Sequence, residues 1–194
     1  FLSKNSFLET IKVLDGEVYN ISYHQERYEN VQRSLGATNC KNLKDYLHPP
    51  SNGLYRCRVV YTSDTIEVTY HPYVKKEVHS LKIVYDDAIE YSKKTTNREA
   101  IDRLYEKRGS CDDILISRNN LVSDTSIANI ALYKEGIWYT PASPLLNGTT
   151  RQRYIDNGVL KPKDIDVDTL KEYTRVALLN AMIDFDIITN ISFN

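Results

Sequence analysis

The chain lacks most of the residues and patterns that mark a metal site, a disulfide-stabilised domain or a common nucleotide-binding loop. Its three cysteines, Cys40, Cys57 and Cys111, are odd in number and far apart, so they form neither a disulfide framework nor a CxxC metal pair. The four histidines show no HExxH spacing, and no GxGxxG or GxxxxGKS/T loop occurs. We therefore expect reduced thiols, no bound metal and neither of the common nucleotide loops.

An excess of one charge and long apolar runs are lacking too. The 25 basic and 26 acidic residues give a net charge of −1, and no basic block occurs, so nucleic acid is not expected as a partner. No apolar run approaches the roughly 20 residues of a membrane-spanning helix, and the first residues lack the apolar segment of a signal peptide. With 41% hydrophobic and 26% charged residues, we expect an ordinary cytoplasmic globular protein without a membrane partner.

The spacing of apolar and turn residues predicts a mixed α+β (α/β) fold in two domains, residues 1–76 and 77–194. The smaller N-terminal domain has predicted strands at 7–14, 18–21, 54–62 and 65–71. Its helix begins with an S-x-x-Q capping box, Ser22 and Gln25, and ends at Gly36. The larger C-terminal domain has predicted strands at 81–85, 113–118, 121–124, 127–133 and 137–140. Its helices are predicted at 98–108, at 149–158 and from a cap at Asp168 through 182.

Two adjacent lysines stand between the strand at 81–85 and the helix at 98–108. A lysine at such a junction can have its stem buried and its pKa lowered, so that its amine serves as a nucleophile or base. Lys93 and Lys94 are both candidates by position alone, and a solvated surface charge is the more common role of either.

Three further features each suit one part of a phosphorylated cofactor. The run 148–150, a glycine followed by two threonines at a helix start, offers N–H groups, hydroxyls and the helix dipole to a phosphate, although a plain N-cap also explains it. Asp124 ends a strand, so its carboxylate can face a cleft or cap a turn. Arg27, beside His24 on one helical face, can bind a phosphate bidentately or form a surface salt bridge.

Pyridoxal 5'-phosphate is the ligand that requires all these groups together. It needs a lysine for covalent attachment, an acidic partner for its pyridinium nitrogen and a phosphate site. The acid keeps the ring nitrogen protonated, so that the ring can accept electrons from a carbanion at the substrate carbon. We therefore predict this cofactor.

The same residues resemble the motifs of the class IV aminotransferases, the fold-type IV pyridoxal-phosphate enzymes, over residues 7–188. Three motifs of the first 100 residues are similar to the family's F-E-T, H-x-x-R and K-x-L-N-R: Phe7-Leu8-Glu9-Thr10, His24-x-x-Arg27 and Lys94-x-x-Asn97-Arg98. Three later segments resemble its E-x-x-x-x-N, L-x-G-I/T-T-R and N-A-L: residues 124–129, with aspartate in place of glutamate, 145–151 and 180–182.

This resemblance implies a role for each matched residue. Lys94, rather than Lys93, would be the catalytic residue and the point of cofactor attachment. The other implied cofactor contacts are Arg27, Thr149 and Thr150 at the phosphate, Asp124 at the ring nitrogen, and Leu146 against the ring face. Residues 180–182 would add a further phosphate-side contact. The cofactor is expected between the two domains of a homodimer whose substrate sites are completed across the interface.

Two departures from the family pattern bear on the substrate. The segment that the family carries before its F-E-T strand is not in this chain, and Ser63 stands where the R-L-V-V-T-R-G strand has its second arginine. That arginine is expected to bind the substrate carboxylate in D-amino-acid aminotransferases, so its absence weakens this interpretation. Arg58, or Arg56 on the same strand face, is predicted to hold a substrate carboxylate, with a surface role as the alternative.

The Asn-Arg pair after Lys94-Thr95-Thr96 resembles the aminodeoxychorismate lyases more than the branched-chain enzymes of the family. The leading hypothesis is therefore a lyase of folate biosynthesis that converts 4-amino-4-deoxychorismate to p-aminobenzoate and pyruvate. The alternatives are a class IV aminotransferase acting on branched-chain or other amino acids, and a shortened, non-catalytic family member that binds the cofactor or a protein partner.

Overall fold

A computed structural model of the chain describes residues 5–194 and divides them into two compact units. The first unit holds residues 5–75 together with Lys93–Asn97, and the second holds Lys76–Ser92 and Arg98–Asn194. The sequence prediction had placed the segment Lys93–Asn97 in the domain 77–194. Its place in the first unit follows from its pairing with the first strand, where the backbone N–H of Leu8 donates to the carbonyl of Lys94 over 2.8 Å.

The first unit is an antiparallel sheet with one helix on it. Its strands are β1 (Phe7–Leu14), β2 (Glu17–Val18), β3 (Leu54–Tyr61) and β4 (Ile66–Pro72), in the order β2-β1-β3-β4. Alternate residues of β1 and β3 pack with the helix α1 (Ile21–Ser34) into one core. Successive residues of a strand point to opposite faces, so Thr10, Lys12, Arg56 and Arg58 lie on the face away from α1. We call this face the polar face, although Leu8 and Val60 also lie on it.

The predicted start of α1 is wrong. Ser22 and Gln25 form no capping box: the helix begins at Ile21, and Asn20 takes the N-cap position in the left-handed conformation (φ 52, ψ 34) without a side-chain cap. The Gln25 side chain instead donates to Glu29 and to the carbonyl of Lys41, and accepts from the backbone N–H of Leu43. The predicted strand 18–21 shortens to Glu17–Val18 because the chain enters the helix at Ile21.

The second unit is built on one large sheet. Its strands are β5 (Ser80–Tyr85), β6 (Asp113–Arg118), β7 (Leu121–Thr125), β8 (Asn129–Lys134), β9 (Ile137–Pro141), β10 (Leu160–Lys163), β11 (Arg175–Asn180), β12 (Asp184–Ile188) and β13 (Ser192–Phe193). The order is β10-β9-β8-β7-β6-β5-β13, and β11 pairs with β8 and β12. Its helices are α2 (Glu99–Tyr105) and α3 (Thr149–Asp156), with 3-10 turns at Glu106–Arg108 and Val167–Glu172. None of the helices within residues 5–194 is both long and apolar enough to cross a bilayer.

The helix predicted from Asp168 through residue 182 is wrong. Asp166, not Asp168, caps this segment, and only the 3-10 turn Val167–Glu172 follows it. The chain then forms β11 in place of a helix, because Val176 and Leu178 enter one apolar cluster while Ala177 and Leu179 enter another. A short apolar run buried on both faces is typical of a central strand, and helical periodicity cannot separate it from a buried helix.

Candidate active site

Lys94 lies against the face of β1 that α1 does not cover. Its Nζ donates a hydrogen bond to Thr10 Oγ1 over 3.0 Å, and its carbonyl is paired with β1. Thr10 points away from the helix, because its neighbours Glu9 and Ile11 both point toward α1. The amine is therefore fixed at a defined position on the polar face of the first unit.

Lys93 points to a different element. Its Nζ donates to Ser34 Oγ over 2.8 Å, at the last residue of α1, and the side chain is exposed. The two adjacent lysines, which their position in the sequence could not distinguish, thus point toward opposite faces of the sheet. Of these two lysines, Lys94 is the half-buried one and lies beside the polar face.

Beneath that face lies a buried charge network centred on Glu9. Its Oε2 accepts hydrogen bonds from His24 Nδ1 (2.7 Å) and Arg27 Nη2 (2.6 Å), and its Oε1 accepts one from Arg27 Nε (2.8 Å). Burial alone would raise the pKa of Glu9, but the Arg27 guanidinium and the His24 hydrogen bond outweigh it and lower the pKa to about 2. Burial lowers the pKa of His24, so its imidazole is neutral near pH 7. The Glu9 carboxylate thereby fixes the Arg27 guanidinium through two of its nitrogens.

We expect Glu9→Gln to lower the free energy of unfolding by about 3 kcal/mol at pH 7, because it removes the buried anion that two nitrogens of the Arg27 guanidinium contact. The carboxylate has a lower pKa in the folded chain than its ordinary 4.5, so its stabilisation is present above pH 4.5 and is lost as pH falls through about 2. Over this window the wild type should therefore lose more stability than the variant in urea titrations, by the contribution of the Glu9 carboxylate.

Glu29→Gln is the matched control. Glu29 pairs with Arg33 on the same helix, but the two side chains are 29% and 60% exposed, whereas Glu9 is fully buried. An exposed pair contributes less than about 1 kcal/mol. Equal losses in the two variants would contradict the assignment of the Glu9 network as the main electrostatic support of this unit.

In the second unit, Asp124 is the next-to-last residue of β7, and its buried carboxylate accepts two hydrogen bonds. Its Oδ1 accepts from Asn129 Nδ2 and its Oδ2 from the backbone N–H of Leu146, each over 2.9 Å. Burial raises the pKa of Asp124 to about 6, against the opposing effect of these two donors and of Arg151 and Arg118. The Asp124 carboxylate is thus largely ionised at neutral pH, and a cationic partner would stabilise its buried charge.

Asn129 joins Asp124 to the loop before α3. The same amide nitrogen that donates to Asp124 also donates to the carbonyl of Leu146 over 2.9 Å. A Cβ at Gly148 would lie 2.0 Å from Asn129 Oδ1, so only glycine fits there. The family motif had included Asn129, but no role was predicted for it. Asp124 and Leu146, which its amide joins, are about 20 residues apart, and no pattern in the sequence indicates this contact.

Gly148→Ala should therefore disturb the whole loop. We expect a loss of about 1–3 kcal/mol in unfolding free energy, the usual cost of forcing a group into occupied space, together with weaker cofactor binding. Urea unfolding and titration with pyridoxal phosphate measure the two effects. Gly158→Ala is the control, since a Cβ at Gly158 meets nothing within 4 Å, although its φ of +73 adds backbone strain. A fully stable Gly148→Ala protein with unchanged cofactor affinity would rule out a tight loop.

The first turn of α3 presents donors that lack partners. Thr149 and Thr150 are buried, and neither hydroxyl has a hydrogen-bond partner among residues 5–194. Next to them, the buried guanidinium of Arg151 donates to Asn147 Oδ1 (2.9 Å) and to the carbonyl of Pro141 (2.8 Å), while its Nε has no partner in that part of the chain. Two hydroxyls and the free N–H groups of a helix start suit an anion.

The remaining predicted site residues are placed as follows. Arg58 lies on β3 directly opposite Thr10, so the two share one face of the sheet. The side chain of Asn180 accepts from the backbone N–H groups of Met182 and Ile183 and donates to the carbonyl of Ile127 over 3.3 Å. Arg98, whose role the sequence did not indicate, donates to the carbonyl of Ser126 over 2.7 Å and so holds the loop after Asp124.

Comparison with known proteins shows the family to which the chain belongs. The model of the amino-transferase class IV family matches residues 6–191. The chain belongs to the class IV aminotransferase family. A protein of Haemophilus influenzae of uncharacterised function is 34% identical over 180 residues, which cover 90% of this chain and 96% of the relative.

Solved structures of class IV aminotransferase fold agree with this assignment. A Haemophilus somnus protein named "putative 4-amino-4-deoxychorismate lyase" is 31% identical, with a TM-score of 0.85 over 94% of this chain and 98% of its own. An aminotransferase from Brucella abortus, bound to pyridoxal phosphate, shares the fold at 16% identity, with a TM-score of 0.74 over 97% and 81% of the two chains.

The residues of this class IV family member fit pyridoxal phosphate on their own chemistry. The buried carboxylate of Asp124 suits a cationic ring nitrogen, the unpartnered hydroxyls of Thr149 and Thr150 suit a phosphate, and the Lys94 amine suits an aldehyde. No group of three histidine, cysteine, aspartate or glutamate side chains within residues 5–194 is arranged to hold a metal ion.

Proposed function

We propose that this chain is a pyridoxal-phosphate-dependent 4-amino-4-deoxychorismate lyase, which releases p-aminobenzoate and pyruvate. The observation that carries the proposal is the position of Lys94, whose Nζ is hydrogen-bonded to Thr10 on the polar face of β1. The sequence Lys94-x-x-Asn97-Arg98 and the 31% identity to the Haemophilus somnus protein support the lyase within the family.

Five residues would hold the cofactor besides Lys94. In this proposal Asp124 pairs with the ring nitrogen, because its pKa of about 6 leaves it charged at neutral pH. Leu146 packs on the ring face, and its backbone N–H already orients the Asp124 carboxylate. Thr149 and Thr150 donate to the phosphate from the first turn of α3, with Arg27 as the cationic partner that the Glu9 network orients.

The cofactor, when bound, supplies an electron sink for the pair of electrons left when a proton is removed from the substrate. The Lys94 amine takes the proton from the ring carbon that bears the substrate amino group. The ether C–O bond then breaks, the enol of pyruvate leaves with the bonding pair, and Lys94 Nζ returns the proton to the enol carbon. Thr10 orients that amine through its Oγ1, and aromatisation of the ring makes the step irreversible.

The direct test uses purified protein, pyridoxal phosphate and 4-amino-4-deoxychorismate without any keto acid. We expect equimolar p-aminobenzoate and pyruvate. Product formation that strictly requires a keto-acid acceptor would reject the lyase in favour of an aminotransferase. A folded protein that takes up no cofactor would instead favour a non-catalytic member of the family.

We also propose, from the family resemblance, that the protein is a homodimer that works in folate biosynthesis in the cytoplasm. Light scattering should then give a particle of twice the 22.4 kDa chain. A monomer that retains full lyase activity would reject the dimer without affecting the proposed chemistry.

A further inference from the structure

The α3 loop, residues 142–148, carries the Leu146 peptide that contacts Asp124. It leads from β9 into α3 and forms neither a strand nor a helix. The Leu146 N–H donates to Asp124 Oδ2 and its carbonyl accepts from Asn129 Nδ2, each over 2.9 Å. A loop cannot satisfy its remaining backbone groups through a ladder of its own, so side chains from other elements must hold it. The Leu146–Asp124 contact is therefore only as fixed as the rest of the loop.

Arg151 joins the two ends of the α3 loop. From the first turn of α3, its Nη2 donates to the carbonyl of Pro141, where β9 ends, over 2.8 Å. Its Nη1 donates over 2.9 Å to Oδ1 of Asn147, near the other end. Arg151 is only 5% exposed, and the charge of Asp124 opposes the cost of burying its guanidinium. Arg151 is thus a buried cation that donates to neutral acceptors in the loop, with Asp124 as the anion that stabilises it.

Arg118 holds the middle of the same loop. It is the last residue of β6 and is half-buried. Its Nη2 donates to the carbonyl of Ser143 over 3.1 Å and to that of Pro144 over 3.5 Å. A guanidinium suits such a task because its planar set of N–H groups can serve acceptors on separate residues at once. Together the two arginines engage the loop at its start, its middle and its end.

Both positive charges act on Asp124, but neither guanidinium occupies its carboxylate. Within residues 5–194, the hydrogen bonds to Asp124 come from neutral donors, the Asn129 amide and the Leu146 N–H. Burial has the largest effect on the pKa of Asp124 and raises it, while the Arg151 and Arg118 charges lower it. An arginine bound directly to the carboxylate would neutralise it and take up its oxygens. The observed arrangement keeps the carboxylate charged and available to another cation.

We infer that Arg118 and Arg151 are positioning residues, which fasten the α3 loop so that the Leu146 N–H stays on Asp124 and the carboxylate stays charged without an arginine bound to it. The carboxylate is then kept for the cationic ring nitrogen of the cofactor. This partner comes from the proposed function, on which the inference rests. What the inference adds is the pair of residues that prepares Asp124 before any cofactor arrives.

The charge effect is tested by carbon-13 NMR of the Asp124 carboxyl in the cofactor-free protein, with Asp124→Asn to assign the signal. At pH 6, about the pKa of Asp124, the ratio of ionised to protonated carboxyl is measured. It should fall about tenfold in Arg151→Gln and about threefold in Arg118→Gln, because each substitution removes a positive charge. Arg118 is less buried, so its variant decides the question if Arg151→Gln does not fold. An unchanged ratio in the folded variants would overturn the inference.

A conservative variant separates position from charge. Arg151→Lys retains the positive charge, but an ammonium lacks the planar fork that joins Pro141 to Asn147. Its ratio of ionised to protonated Asp124 should stay within about threefold of the wild type. The backbone N–H of Leu146 should nevertheless exchange with deuterium about tenfold faster in Arg151→Lys and in Arg118→Gln, because the loop opens more often. Unchanged exchange in both variants would overturn the fastening role.

Arg103→Gln is the matched control. Arg103 lies on α2 in the same unit and pairs with Glu99 at a side-chain exposure of 67%. Its loss removes an equal charge far more exposed to solvent, so the Asp124 titration and the Leu146 exchange should both stay as in the wild type. Changes in the control as large as those in Arg118→Gln would overturn the inference, because they would show that any lost arginine has this effect.

Titration with pyridoxal phosphate distinguishes the failure of this inference from that of the proposed function. If both hold, Arg118→Gln and Arg151→Gln should bind the cofactor at least about threefold more weakly than the wild type. A wild type that takes up the cofactor, with variants of unchanged Asp124 titration and Leu146 exchange, rejects the inference alone. Altered titration and exchange in variants of a protein that takes up no cofactor rejects the proposed function alone.

Discussion

Lys94→Ala should yield a folded protein whose lyase turnover is lower by at least about 10³-fold, since both covalent attachment and general-base catalysis are removed. The visible absorbance band of lysine-bound cofactor should vanish as well, because no amine remains at position 94 to bind it. Folding should survive, because the carbonyl of Lys94 still pairs with Leu8 whatever the side chain. Visible absorbance and p-aminobenzoate release measure the two losses.

The adjacent lysine provides the matched control. Lys93→Ala removes an equal side chain one residue away, but that side chain contacts Ser34 at the end of α1. We expect its turnover and spectrum to remain within about twofold of the wild type, as for most surface substitutions. Loss of the spectrum in Lys93→Ala with retention in Lys94→Ala would reverse the assignment.

Asp124→Asn should retain the shape of the site and lower turnover by about 10²–10⁴-fold. The amide cannot keep the ring nitrogen of the cofactor protonated, so electrostatic stabilisation of the developing charge is lost. Cofactor affinity should fall as well, since a buried anion no longer faces the cationic ring. Asp164→Asn, at an exposed position of the same unit, should leave both quantities unchanged.

The same substitution has an effect of known sign on stability. The pKa of Asp124 in the folded chain, about 6, lies above its ordinary 3.8, so the fold binds this proton more tightly than the unfolded chain does. Without cofactor, ionisation of Asp124 therefore costs stability as pH rises from about 4 through 6. The stability difference between Asp124→Asn and wild type should shift in favour of the variant over this window. A difference independent of pH would contradict the raised pKa.

The strands of both units could be predicted where side chains alternate between core and solvent. β1 and β3 are of this kind, because apolar residues at every second position leave one register for a half-buried strand. β11 could not be predicted, since a strand covered on both faces shows no alternation. The start of α1 was missed because Asn20 caps it with a backbone conformation, whereas the side-chain pattern indicated Ser22 and Gln25.

The candidate site could be predicted only as far as local motifs reach. The pattern Lys94-x-x-Asn97-Arg98 indicated which lysine to choose, and the structure adds its bond to Thr10. The partner of Arg27 was not predicted: helical spacing placed Arg27 beside His24 and left a phosphate or a surface salt bridge as its contact, whereas Glu9, 18 residues earlier on β1, binds the guanidinium. Contacts of this kind depend on strand pairing and helix packing, which no single segment encodes.

The most direct measurement is reduction of the protein with borohydride in the presence of pyridoxal phosphate, followed by mass mapping of its peptides. The lysine-rich stretch Ser92-Lys93-Lys94-Thr95 contains both candidate amines, so fragmentation must separate the two positions. We expect the pyridoxyl mass on Lys94 alone, and none in the Lys94→Ala variant. The mass on Lys93, on a lysine elsewhere, or on no lysine of a folded protein would contradict the account of this chain as a pyridoxal-phosphate enzyme with Lys94 at its centre.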